Sequence, residues 1–241
     1  MIFDNPKPLV DSTSILNAIQ REVHKVLKPL GFSKHGRTEH RFVSGDISQV
    51  INFQLGQAYL GETHLLHVNI GIRIPECMEY SLETIPANRK YYPEYECNLR
   101  SELGSVEGKK EAVYDLRKPA EFTIADILRQ ITQTVLPAFD VLCSRESILA
   151  HRREYPNFDL HFGHLILREE AIMLKSMGQP EAASEKFGTY LRSMIHETPR
   201  RGVNLATRQG WLSASMKIAE KVAIPIAPDI LAEAEEFLSR S

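Results

Sequence analysis

Cysteine is scarce in this 241-residue chain: Cys77, Cys97 and Cys143 are the only three, far apart and with no C-x-x-C pair. An odd, scattered set argues against a disulfide framework and fits a reduced compartment. No apolar run reaches the roughly 18–20 residues that a membrane-spanning helix needs. The opening residues, MIFDNPKPLVD, lack the basic start and apolar stretch of a secretory signal. A cytoplasmic protein with no membrane partner is therefore expected. Charge of one sign is also missing: the net charge is -2. There is no global pull toward nucleic acid or anionic lipid, and any binding by charge must come from a local patch.

Catalytic signatures are missing too. There is no G-x-S-x-G elbow, no phosphate loop and no dinucleotide glycine pattern. Cys97 falls on the apolar side of an alternating run and reads as a buried, inert thiol. Cys143 follows Val141 and Leu142 and reads as core. No cofactor is expected. His64 and His67, three apart on a strand, would face opposite ways and could not share a metal. His161 and His164, with Asp159 just before, would share a face if helical. This set is a weak alternative as a metal site, because zinc needs further ligands that nothing in the sequence fixes. The acids Glu76, Glu79, Glu83, Glu94 and Glu96 form no ligand pattern and read as a solvated face.

What is present is ordinary globular composition, 43% hydrophobic and 25% charged, enough to build a real core at this length. Asp11 or Ser12 is a candidate N-cap for a helix with Ile15, Leu16, Ile19, Val23, Val26, Leu27 and Leu30 at helical spacing. Gly31 is its stop, and Pro29 can end it sooner. The period then changes to two. Ile47, Ile51, Phe53 and Leu55 alternate with Ser48, Asn52 and Gln54, and Val50 breaks the pattern once. Leu66, Val68, Ile70, Ile72 and Ile74 alternate with His67, Asn69, Gly71 and Arg73. Tyr95, Cys97, Leu99 and Leu103 alternate with Glu96, Asn98, Arg100 and Glu102. Such alternation predicts an antiparallel sheet with one buried face. Ser44-Gly45-Asp46 is a hairpin turn, residues 75–93 form a long connection, and Gly104–Lys110 turn the chain into a strand over 112–116. Thr123–Asp126 resemble a capping box opening a helix that Pro137 should kink or end.

From about residue 145 strand-like alternation disappears and mixed charges mark solvated helix faces. Helices are expected over 165–177, 180–195, 204–222 and 229–238. The fold class is therefore α+β: a helix, about four antiparallel strands and a second helix over residues 1–144, then an all-α region over 145–241. Within that region Ala171, Gly178, Ala183, Phe187 and Leu191 have tetratricopeptide-like spacing. A single unit cannot form a solenoid, and an ordinary antiparallel helix pair is the expected arrangement.

The run LKPLGFSKHGRTEHRF at 27–42, followed by Ile51-Asn52-Phe53-Gln54 and Val68-Asn69-Ile70-Gly71, resembles a bacterial family known as domain of unknown function 4304. The resemblance covers roughly the first two-thirds of the chain. It implies a bacterial origin and an α+β fold, and it supplies no activity, cofactor or catalytic residue.

The polar side of the sheet is the candidate binding surface. Asn52, His67, Asn69, Arg73, Asn98 and Arg100 are expected there, with Arg41 outward while Phe42 points to the core. Lys34 and Arg37 would form a rim. These side chains donate hydrogen bonds and carry cationic charge, as binding an anionic or acidic surface requires. A non-enzymatic protein-interaction module is the leading expectation, with an immunity- or antitoxin-like role as one concrete form. Nucleic-acid binding through the same cations is the first alternative, although the central strands offer no aromatic for base stacking. A metal-dependent hydrolase built on Asp159, His161 and His164 is the second.

Overall fold

A computed structural model describes residues 11–56, 60, 63–78, 91–108, 112–158, 165–196 and 203–240. The chain forms two compact units. One comprises residues 1–75 and 86–160, the other residues 76–85 and 161–241. Among the described residues the last strand ends at Asp115, and the compact units change over after Leu160.

In the first unit, helix α1 spans Ser12–Leu27 and is capped by Asp11, whose carboxylate accepts from Ser14 N at 3.1 Å. Leu16, Ile19, Val23 and Leu27 are buried along one side, each contributing about 1.5–3 kcal/mol on leaving water. Pro29 cannot extend the helix, so it tightens into a 3₁₀ turn over Lys28–Leu30 and stops at Gly31, where φ is +87°.

Strands β1 (Ser33–His35), β2 (Thr38–Val43), β3 (Ile47–Leu55), β4 (Leu65–Arg73) and β5 (Leu99–Glu102) lie in sequence order, every neighbouring pair antiparallel. The short β6 (Tyr114–Asp115) pairs with the start of β4. The β2–β3 turn uses Ser44 and Gly45, both at positive φ. Helix α2 (Pro75–Met78) opens the long connection after β4. The expected strand over 95–103 is shorter than its alternation implied. Residues Glu94–Glu96 are a 3₁₀ turn, and pairing begins only at Leu99.

Helix α3 (Ala120–Gln130) starts after Pro119, three residues before the expected capping box, so Thr123 is a buried position inside it. Asp126 instead binds the Tyr114 hydroxyl, Gln130 and Arg129. Pro137 does not end this helix. A π-turn at Ile131–Val135 leads into α4 (Leu136–Val141), relaxing the ladder where the proline has no N–H to give. Helix α5 (Arg145–His151), capped by Ser144, is followed by 3₁₀ turns at Arg152–Glu154 and Pro156–Phe158.

In the second unit, α6 (Ile166–Ser176) and α7 (Pro180–His196) form a hairpin around Gly178, at φ +74°. Ala171, Ala183, Phe187 and Leu191 are buried in it. Helices α8 (Leu205–Lys221) and α9 (Pro228–Ser239) follow. The side chain of Arg208 on α8 donates to Met194 O and Ile195 O at the end of α7, and that of Gln209 donates to Phe237 O and Leu238 O at the end of α9. Two helix C-termini thereby satisfy orphan carbonyls through one neighbouring helix. Helix α9 meets α7 at Gly188, where an added Cβ would collide with Ile230 Cδ1. From α2, Cys77 Sγ reaches Glu169 O at 3.6 Å, and Glu76 accepts from Ser176 Oγ.

Candidate functional site

Strand register sorts the sheet's side chains onto two faces. On one face lie Glu39, Arg41, Gln49, Ile51, Phe53 and Ile72, and α1 and α4 pack there. His24 on α1 meets the buried Glu39 at 2.9 Å, and Gln49 Nε2 donates to Phe139 O on α4. Burial pushes the Glu39 carboxyl up, while hydrogen bonding and charge from His24 pull it partly back. Arg41 belongs to this side. It donates to Gln49 Oε1 at 2.6 Å and to Asp140 at 2.8 Å, with its guanidinium 4.8 Å from the centre of the Phe32 ring. The expected orientation of β2 is thus reversed. Phe42, not Arg41, faces the polar side, because Asp140 of α4 and Gln49 of β3 accept from Arg41 and Phe32 provides a ring. Lys34 pairs in register with Glu39 and is exposed on the same side. Arg37 is exposed in the β1–β2 turn, where its carbonyl accepts from Phe53 N.

The other face is ordered in cross-strand rows. Phe42, Ser48 and Arg73 form one row. His40, Val50, Gly71 and Arg100 form the next, and Thr38, Asn52, Asn69 and Glu102 the third. Gln54 and His67 form the last. The structure therefore brings Asn52, His67, Asn69, Arg73 and Arg100 together, with Asn98 beside them, and leaves Lys34, Arg37 and Arg41 out. Asn52 donates to Thr38 Oγ1 and Asn69 to Gln54 Oε1, so the third row is knitted internally. Asn98 Oδ1 accepts from Ile74 N and holds the end of β4.

This face is not an open polar surface. Residues 91–97 cross it as a strap. Tyr91 stacks on His35 at 3.5 Å between centroids. Tyr92 lies over Arg73, 3.7 Å from guanidinium carbon to ring centre, and meets Phe42 edge-on at 6.3 Å. Glu94, expected on a solvated face, is buried and accepts from Arg100 Nε at 2.5 Å; Glu96 is buried as well. Cys97 lies on Gly71, where an added Cβ would stand 2.6 Å from its Cβ and Sγ. The thiol is buried as expected, but on this face rather than among the helix-side apolar residues. Burial first, then the neighbouring Glu94, push its pKa far up, which keeps it protonated and unreactive.

Arg73 is 3% exposed and its Nε has no hydrogen-bond partner. Ser48, directly opposite, is fully buried and its Oγ also has no partner. Phe42 remains 43% exposed at the end of their row. Sequence patterning points Phe42 to the core, makes Ser48 only one polar position of an alternating run, and gives Tyr91 and Tyr92 no role. The available signal was Val50, an apolar residue in a polar position, which marks a place where the second face is covered.

Asp159, His161 and His164 lie outside the described residues, as do Glu79 and Glu83. Among the described residues no group of three His, Cys, Asp or Glu side chains could hold a metal, and no helix is long and apolar enough to cross a membrane.

Comparison with known families matches residues 23–141 to the model described as domain of unknown function (DUF4304). No curated protein and no solved structure matches the chain.

Proposed function

With residues 23–141 assigned to a domain of unknown function that offers no activity to carry over, we propose that the protein is a non-enzymatic binding module. Its contact surface for another protein is the strapped face of the sheet. The observation that carries this reading is Phe42: a large ring 43% exposed while its ring neighbours His40 and Tyr92 are buried. Exposed His35, stacked on Tyr91, continues the ridge. Aromatic side chains set in a fixed framework beside an arginine are the composition of interface anchors.

Nucleic-acid binding has less support on the same face. Single-strand binders offer open ring faces and uncommitted cations. Here His35 and Tyr91 occupy one another's faces, Arg100 is paired with Glu94 and Arg41 with Asp140. The cations that remain at the rim, Lys34 and Arg37, are exposed on the β1 side.

The test is affinity capture from the native host with wild-type protein and Phe42→Glu, a surface change that leaves the core intact. Retention of a specific protein by the wild type and its loss by at least about tenfold in the variant supports the surface. Equal capture by both removes it. An oligonucleotide titration that weakens steeply with salt would move the assignment to nucleic acid.

A further inference from the structure

We infer that Ser48 and Arg73 form a receptor for one compact oxyanion, a carboxylate or phosphate carried by the partner. The inference rests on the reading that this face binds another protein and names what it would recognise.

The two residues are register partners on adjacent central strands, so their side chains rise side by side from one face. Both are buried, and the Ser48 hydroxyl and the Arg73 Nε–H have no partner. Buried polar atoms in native proteins are nearly always satisfied, and two adjacent exceptions call for a common explanation. Both groups can donate, so a single acceptor placed between them would satisfy both. Because one of the donors is cationic, an anionic acceptor is preferred to a neutral one.

The surroundings specify the anion further. The Arg73 guanidinium carbon lies over the Tyr92 ring, 3.7 Å from its centre. The ring covers the cation without accepting from Nε–H, and the guanidinium's donors all lie in its own plane. No carboxylate among the described residues forms an ion pair or hydrogen bond with Arg73, whereas the neighbouring Glu94 is committed to Arg100. The Phe42 and Tyr92 rings bound the row, so the site suits a single oxyanion head rather than an extended polyanion.

The decisive measurement is NMR of the Arg73 Nε–H resonance in the full chain, assigned by its loss in Arg73→Lys. Sodium acetate and inorganic phosphate are titrated separately, at ionic strength held constant with sodium chloride. A saturating shift with a dissociation constant on the order of millimolar is expected for so small a ligand. Saturation by acetate assigns a carboxylate side chain as the natural group, and saturation by phosphate alone assigns a phosphorylated one. Ser48→Ala should weaken the binding about tenfold. It should leave thermal stability unchanged or raised, because it deletes an unsatisfied hydroxyl. A shift that never saturates, or one that Ser48→Ala does not weaken, overturns the site and leaves bound water as the partner. The two readings fail separately. Acetate can bind although Phe42→Glu captures the same proteins, and capture can depend on Phe42 although neither anion binds.

Discussion

On one side of the sheet Ile51, Phe53, Val68 and Ile70 are buried on the face that α1 and α4 cross; on the other, Val50, Gly71 and Arg73 are buried beneath a strap with no regular structure beyond one 3₁₀ turn. The first side is mainly an apolar layer, nondirectional and proportional to area, into which Glu39, Arg41 and Gln49 are tied by hydrogen bonds. The second is held by particular contacts: an aromatic ring on a guanidinium, a carboxylate on an arginine and a sulfur on a glycine. Stability should reside mostly on the helix side, and specificity on the strapped side. A sheet can thus devote one face to folding and keep the other adjustable, since a strap is replaced residue by residue and a helical layer is not.

The contrast breaks hardest at Phe53, which is fully buried on the helix side. Phe53→Ala should cost about 3–5 kcal/mol, read as a lower urea midpoint at unchanged slope. A loss below that of any strapped-side substitution would undo the ranking. Gly71→Ala comes next. Its new methyl would meet Cys97 Cβ and Sγ at 2.6 Å, and forcing the two apart should cost about 1–3 kcal/mol. Hydrogen exchange should quicken over residues 91–97 while β3 stays protected. Uniform loosening of the sheet would mean that the strap is not a separate layer.

The smallest effect concerns pH. Burial holds the Glu39 carboxyl above its ordinary value of 4.5, so the folded state binds that proton more tightly than the unfolded chain. Its contribution to stability is complete below about 4.5 and is lost as pH rises through the folded value. Glu39→Gln should remove this decline. Melting temperatures of the two proteins should therefore diverge in slope from pH 4.5 upward, and parallel profiles would show that Glu39 imposes no such cost.

Much of this arrangement was legible in single residues. The stripe of α1, its stop at Gly31 and the outlines of β3 and β4 follow from period and punctuation, which are local. The family resemblance drawn from residues 27–42, 51–54 and 68–71 agrees with the matched span of 23–141. The orientation of β2 was not legible, because Arg41 and Phe42 are each long enough to lie on either side, and the choice was made by Asp140, Gln49 and Phe32. Nor was the covered face. Acids such as Glu94 look solvated until the chain folds back over Arg100, and Val50 alone, apolar in a polar position, marks the crossing.

The membership of α2 has a consequence for how the molecule can be cut or assembled. The chain leaves the first unit after Pro75, returns at Pro86 and leaves again after Leu160. During synthesis, Cys77 and Met78 emerge long before Glu169 and the helix that carries it. They must wait without their final cover until the second unit exists. The helical unit is therefore not a cassette that can be appended or deleted at residue 160. A chain stopped there keeps every described strand of the sheet, yet leaves Cys77 without its contact to Glu169.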